Sequence, residues 1–159
     1  MALDVYGKTA PSGDIAVLED FGGSLMVAAN QFLWYSRPYR FEYFDSIRQV
    51  IPFPEQITCL VATNSGVWVS TKNKLYFMQG SDLETCNLTQ QGDFGLLRGS
   101  AVKASSNLLG GVSGISAIAL SDFGLVQLSD EGTATLKTQN YYHPLDADYA
   151  VATISYENG

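Results

Sequence analysis

The chain has 159 residues, 46% hydrophobic and 12% aromatic, enough apolar material for one ordinary domain and too much for a disordered one. Nine Lys and Arg against sixteen Asp and Glu leave a formal charge of −7, which argues against a nucleic-acid footprint and against docking on anionic lipid. Charged residues are only 16%, below the usual quarter, so other subunits are expected to cover part of the surface.

No apolar run reaches the roughly 18 residues of a membrane-spanning helix. Met1 to Lys8 lacks the basic and apolar regions of a signal peptide, so the expectation is synthesis in a cytoplasm without membrane association. Two cysteines and one histidine are too few for a disulfide framework or a zinc site. Cys59, inside Ile57-Thr58-Cys59-Leu60-Val61, reads as a buried free thiol.

In chain order, Leu25 to Ala28 and Phe32 to Tyr35 flank the turn Ala29-Asn30-Gln31 and predict a first hairpin. Gly66 to Thr71 and Leu75 to Met78 flank Lys72-Asn73-Lys74 and predict a second. Ile115 to Leu120, Gly124 to Leu128 and the turn Asp130-Glu131-Gly132 make a third. These segments repeat. A shift of 42 lays Ile15 on Ile57, Leu18 on Leu60, Leu25 on Val67, Val27 on Val69, Leu33 on Leu75, Trp34 on Tyr76 and Tyr35 on Phe77. A further shift of 58 lays Ile57 on Ile115, Gly66 on Gly124 and Val67 on Leu125.

Runs such as Leu33-Trp34-Tyr35 and Leu75-Tyr76-Phe77-Met78 are apolar on both sides of a strand, as expected of a sheet buried between layers. No stretch of ten residues carries a 3.6 period, so the chain is predicted to be all-β. A repeat of about 40 to 50 residues suits the four-stranded blade of a β-propeller, with a β-sandwich as the alternative. The expectation is a single all-β domain over 1–159, with repeat units of about 13–50, 55–90 and 113–159. Closed propellers use about four to eight blades, so three imply a ring that is incomplete or closed by oligomerisation. The last residues, Tyr156-Glu157-Asn158-Gly159, end on a hairpin-type turn and fit that expectation.

Residues that could carry chemistry are sparse. His143, the sole histidine, would have to serve any nucleophilic triad, but Tyr141-Tyr142-His143-Pro144 reads as a loop with a surface imidazole. Gly110-Gly111-Val112-Ser113-Gly114 precedes a strand and lacks the helix N-terminus that holds phosphate. Asp146, Asp148, Asp130 and Glu131 could offer oxygens to a hard cation, yet hairpin turns favour such residues anyway. Asn87-Leu88-Thr89 matches a glycosylation acceptor that would need a secretory route. No catalytic, cofactor-binding or metal residue is assigned, and the chain is expected not to be an enzyme.

The candidate interface residues are Trp34, Tyr35, Arg37, Tyr39, Arg40, Phe41, Tyr43 and Phe44. Dense aromatics interleaved with arginine suit packing between blades, anchoring on a neighbouring subunit, or stacking on sugar.

Further residues carry a resemblance. Gly66-Val67-Trp68-Val69-Ser70-Thr71, then Leu75-Tyr76-Phe77-Met78-Gln79-Gly80-Ser81-Asp82, then Gly99-Ser100-Ala101-Val102, resemble a family of tailed-bacteriophage virion proteins of β-propeller type. Asp122-Phe123-Gly124-Leu125, Tyr141-Tyr142-His143-Pro144 and the upstream Phe32-Leu33-Trp34-Tyr35-Ser36-Arg37-Pro38 extend it. The chain departs from that pattern at Leu83, where the family has proline. The resemblance implies a non-enzymatic virion component of the tail, neck or head–tail region, assembled with other virion proteins and copies of itself. Its localisation would be the virion. The alternative is a carbohydrate-binding module for host-surface recognition, with a glycan as partner.

Overall fold

The computed structural model describes residues 11–105 and 115–138. His143, Asp146, Asp148, the Gly110 to Gly114 loop and the remainder of the third unit lie outside them. Among the described residues every regular element is a strand, as the missing helical period predicts.

The strands form three antiparallel sheets, none of them closed into a barrel. The first comprises β1 (Ile15–Phe21), β2 (Ser24–Ala29), β3 (Phe32–Arg37), β4 (Arg40–Phe44) and β5 (Val50–Pro52). The second runs β6 (Ile57–Ala62), β7 (Gly66–Thr71), β8 (Leu75–Gln79), β9 (Asn87–Gly92). The third runs β10 (Val102–Ser105), β11 (Ile115–Ser121), β12 (Gly124–Leu128), β13 (Ala134–Leu136). Strand order follows the sequence in the second and third sheets, and in the first through β4, with β5 returning to pair β3.

The 42-residue repeat is visible at the level of register. Leu18 faces Val27 and Val27 faces Trp34; Leu60 faces Val69 and Val69 faces Tyr76. The first strands of these two sheets even carry their bulge at the same place, between Ile15 and Val17 and between Ile57 and Cys59.

Alternation along the strands builds the core as layers. On one face of the second sheet, Ile57, Leu60, Ala62, Val67, Val69, Tyr76 and Met78 pack against Phe21, Met26, Ala28, Leu33 and Tyr35 of the first. On the other, Cys59, Val61, Trp68, Leu75 and Phe77 pack against Ala117, Ala119, Val126 and Leu128 of the third. Phe53 meets Tyr76 edge to face at 5.3 Å, and the rings of Trp68 and Phe77 lie 4.8 Å apart. The second sheet is therefore apolar on both sides because it is the middle layer. Cys59 is a buried free thiol, its Sγ donating to the Leu97 carbonyl at 3.0 Å.

The 58-residue repeat has a different outcome. The β11–β12 hairpin copies β6–β7 closely: Ala117 faces Leu128 as Cys59 faces Ser70. Ser121 donates to the Gly124 carbonyl as Thr63 does to Gly66. Yet β10 pairs outside β11, so the third sheet begins at Val102 and the copied hairpin sits one strand further along. Moving a hairpin by one position in an antiparallel sheet reverses its direction while keeping its order, and that rotation exchanges its two faces. Hence Ala117 and Val126 point back at the second sheet, whereas their counterparts Cys59 and Trp68 point forward.

Charged groups tie the leading strands together. β1 lies against β6, and Lys103 of β10 pairs with Glu19 of β1. Arg98 forks onto Asp14, Nη1 donating to Oδ2 at 2.6 Å and Nη2 to Oδ1 at 3.0 Å, while Gln56 Nε2 donates to the same carboxylate at 3.1 Å. Asp14 thus joins segments that precede all three sheets, and the Arg98 hydrogen bonds hold its carboxyl below the ordinary range. The stabilisation from that tie is present above the unfolded pKa and disappears as the pH falls through the folded one.

Glu19 shifts the other way: burial pushes its carboxyl up, and the Lys103 ammonium pulls it partly back. A carboxyl whose folded pKa exceeds its unfolded one favours the fold more as the pH drops between the two. Lys103→Met should therefore lower stability by about 1 kcal/mol at about pH 8. The deficit should shrink towards about pH 5 as Glu19 takes up a proton, which urea melts at the two pH values would measure.

Candidate interaction surface

β3 forks, and the fork makes the surface. Its first half, Phe32 to Trp34, pairs with β5, while Ser36 and Arg37 pair with β4, so the β3–β4 hairpin leaves the sheet as an arm. Ser36 sits at the irregularity between the two, its Oγ accepting from Leu25 N at 2.9 Å and donating to the Arg37 carbonyl. The arm turns through Tyr39 at a φ of 58°, with Tyr39 N donating to the Gly23 carbonyl at 2.7 Å. The Tyr39 ring lies over Gly23, whose φ of 78° is the left-handed conformation that favours glycine.

The interface candidates divide along this arm. Tyr39 is 85% exposed and Phe41 49%, with Arg37 and Arg40 exposed beside them. The Arg37 guanidinium stacks 4.1 Å over the half-buried Tyr43 ring, which fixes the charge at the surface. Tyr35 and Phe44 are buried. Tyr35 is part of the core between the first two sheets, its hydroxyl donating to the Arg48 carbonyl at 2.9 Å, and burial pushes its phenol up. Trp34 is half-buried on the opposite face of the first sheet.

That opposite face, which sequence reasoning did not single out, is apolar and faces none of the described sheets. In one cross-strand row it carries Ile15, Ala29 and Phe32, and in the next Leu18, Val27, Trp34 and Val50. Leu18 is 60% exposed, Ile15 47% and Phe32 37%, whereas Val27 and Ala29 in the same rows are buried. Trp34 Nε1 is buried with no hydrogen-bond partner, a situation worth about 1–3 kcal/mol against the fold. Trp68 shows the satisfied arrangement: its Nε1 donates to the Ser129 carbonyl on the neighbouring sheet at 2.9 Å.

Two further acidic groups, Glu55 and Asp130, are engaged in structural ties. Glu55 accepts from Thr71 Oγ1, Asn73 N and Asn73 Nδ2, which closes the β7–β8 turn and lowers its carboxyl, the Asn73 side chain contributing most. Asp130 accepts from Ser65 N at 2.8 Å and so pins the β12–β13 turn to the second sheet. No group of three or more metal-ligating side chains occurs among the described residues. Among them, too, no helix is long and apolar enough to cross a membrane.

No family model and no curated protein matches the chain. A solved structure similar to it is the Chaetomium thermophilum heterotrimeric Nup82 NTD-Nup159 TAIL-Nup145N APD complex, at 15% identity and a TM-score of 0.48. The similarity covers 97% of this chain and 36% of that one, so the chain spans about a third of its length. A likeness at that level assigns neither fold family nor function.

Proposed function

We propose that the three sheets are blades of a β-propeller and that the protein is a non-enzymatic structural component of a tailed-phage virion, working by assembly. The observation that carries the assembly reading is the set of exposed apolar side chains on the outer face of the first sheet, Ile15, Leu18 and Phe32. The arm beside it presents Tyr39, Phe41, Arg37 and Arg40, the residue types that anchor protein interfaces. Convergence of β1, β6 and β10 through direct packing and the Lys103–Glu19 pair supports blades arranged about a common centre. The virion assignment rests on the resemblance of the Gly66 to Val102 segment. Repeated contacts in a symmetric particle would multiply a modest interface by avidity.

Electron-microscopy reconstruction of the particle tests this reading, together with light scattering of the chain mixed with tail and neck proteins. The expected result is density for the three sheets in the tail, neck or head–tail region and a stable complex in solution. An inert monomer with every virion neighbour, and no density in the particle, would overturn it. The exposed Tyr39 ring favours glycan binding as the second reading. A glycan array with a Tyr39→Ala control decides that one, and the absence of binding at high micromolar protein removes it.

A further inference from the structure

We infer that the tip of the β3–β4 arm docks on the acidic turns at the same end of a second copy of this chain, so that two copies pair about a two-fold axis. The inference takes from the assembly reading above only that the arm is an interface.

The tip is built at a local cost. Pro38 and Tyr39 alone join β3 to β4, which sets Arg37 directly opposite Arg40. Like charges opposite one another across a strand pair are destabilising. Tyr39 adopts a φ of 58°, which a residue with a side chain rarely takes and which glycine or asparagine would suit better. Its ring is 85% exposed, and every residue from Arg37 to Glu42 is exposed without a break. Among the described residues the ion pairs are Arg98 with Asp14 and Lys103 with Glu19, so neither tip arginine has a carboxylate. Two opposed guanidiniums beside an aromatic ring, kept against local preference, fit an anionic partner whose arrival removes the repulsion.

The same end of the molecule holds the complement. Tyr39 N donates to the Gly23 carbonyl, and a β-carbon on neighbouring Gly22 would sit 2.9 Å from the Ser81 carbonyl oxygen. Gly80 N donates to the Ser65 carbonyl at 3.1 Å, and Ser65 N donates to Asp130 at 2.8 Å. These contacts form a row from the arm through the β1–β2 turn, the β8–β9 loop and the β6–β7 turn to the β12–β13 turn. Beyond the arm, the charged side chains of these turns are Asp82, Glu84, Asp130 and Glu131, all acidic. Lys72 and Lys74 lie in the β7–β8 turn at the other end of the second sheet, and Arg98 and Lys103 are already paired. The residues outside the described ones add one lysine, Lys8, and no arginine, against Asp4, Asp146, Asp148 and Glu157. Their balance is acidic as well.

A second copy brings the two halves together. Because arm and acidic turns share one end, a two-fold axis through that end lays each arm on the other copy's turns. Every contact is then made twice. Repulsion between two chains of charge −7 is screened beyond about 8 Å at physiological salt, so the short-range pairs decide the outcome.

The test is sedimentation of the full chain at physiological salt, where a dimer and no larger species should form. Arg40→Glu should weaken that dimer by about a hundredfold, about tenfold for each of its two contacts. The same change turns the opposition to Arg37 into an attractive pair, so the melting temperature should hold or rise. An Arg40 with a purely structural role would lower it instead. Glu84→Lys combined with Glu131→Lys, both at exposed positions, should weaken the dimer similarly. Copies with Arg40→Glu, mixed with copies carrying Glu84→Lys and Glu131→Lys, should pair again, because both junctions of the mixed dimer regain opposite charges. A monomer at all concentrations overturns the inference, as does a dimer indifferent to Arg40→Glu. Weakened variants that fail to rescue one another overturn the two-fold geometry. A monomer that binds an acidic virion neighbour through Arg40 removes the self-pairing and leaves the assembly reading standing. A dimer that forms through these charges and is absent from any particle supports the pairing and counts against the virion reading.

Discussion

Trp68→Ala should destabilise the fold by about 4 kcal/mol, a loss that urea unfolding would read as a lower midpoint with a similar slope. The indole is 1% exposed and packs on Phe77 and on the third sheet, so truncation removes a large buried ring and leaves a cavity between layers. It also strands the Ser129 carbonyl, which accepts the indole hydrogen bond at the end of β12. Amide exchange should accordingly rise more over β12 and β13 than over β1 to β3. Trp68→Phe, which keeps much of the ring but drops the donor, should lose only about 1–2 kcal/mol. A change below about 1 kcal/mol for the alanine variant would mean that the second and third sheets are not stacked through this residue.

Gly66→Ala should cost about 3 kcal/mol through crowding. A β-carbon there would lie 2.3 Å from the Met78 carbonyl oxygen and 2.7 Å from the Phe77 ring. The oxygen belongs to a strand paired directly with β7, at Val67 opposite Met78 and Gly66 opposite Gln79, so it yields only if that ladder shifts. The turn geometry is not the obstacle, because the first sheet places Ser24 at the equivalent position. Thermal unfolding of Gly66→Ala and Ser24→Ala side by side checks the contrast, the serine change being expected to stay within about 1 kcal/mol.

The hairpins from Leu25 to Tyr35 and from Gly66 to Met78 were legible because strand period and turn chemistry agree there and the 42-residue repeat reproduces both. The repeat was informative down to the shared bulge, since identical spacing on both sides of a turn leaves only one register. β9 was not legible. Asn87-Leu88-Thr89-Gln90-Gln91-Gly92 lies at the sheet edge, mostly exposed, and an edge strand with no buried face has no apolar alternation to announce it. The short β10 and β5 were hidden for a related reason: strands of four and three residues are too brief for a period. At the candidate surface, Tyr35 and Trp34 are adjacent, yet one lies in the core between the first two sheets and the other on the opposite face. A run that is apolar throughout does not reveal which side the molecule covers. The Lys103–Glu19 and Arg98–Asp14 ties were equally invisible, because an ion pair between distant segments leaves no periodic trace.

The offset hairpin of the third sheet bears on how such a molecule could grow. A two-stranded unit with greasy side chains above and below can be inserted either way up and still find a layer to lie against. Duplication then needs no matching of orientation: an additional strand at the leading edge inverts the unit, and the inverted unit remains adhesive. Architectures of this kind can lengthen by single strands as well as by whole repeats, so their spacing drifts, from 42 to 58 residues here, while the stacking persists.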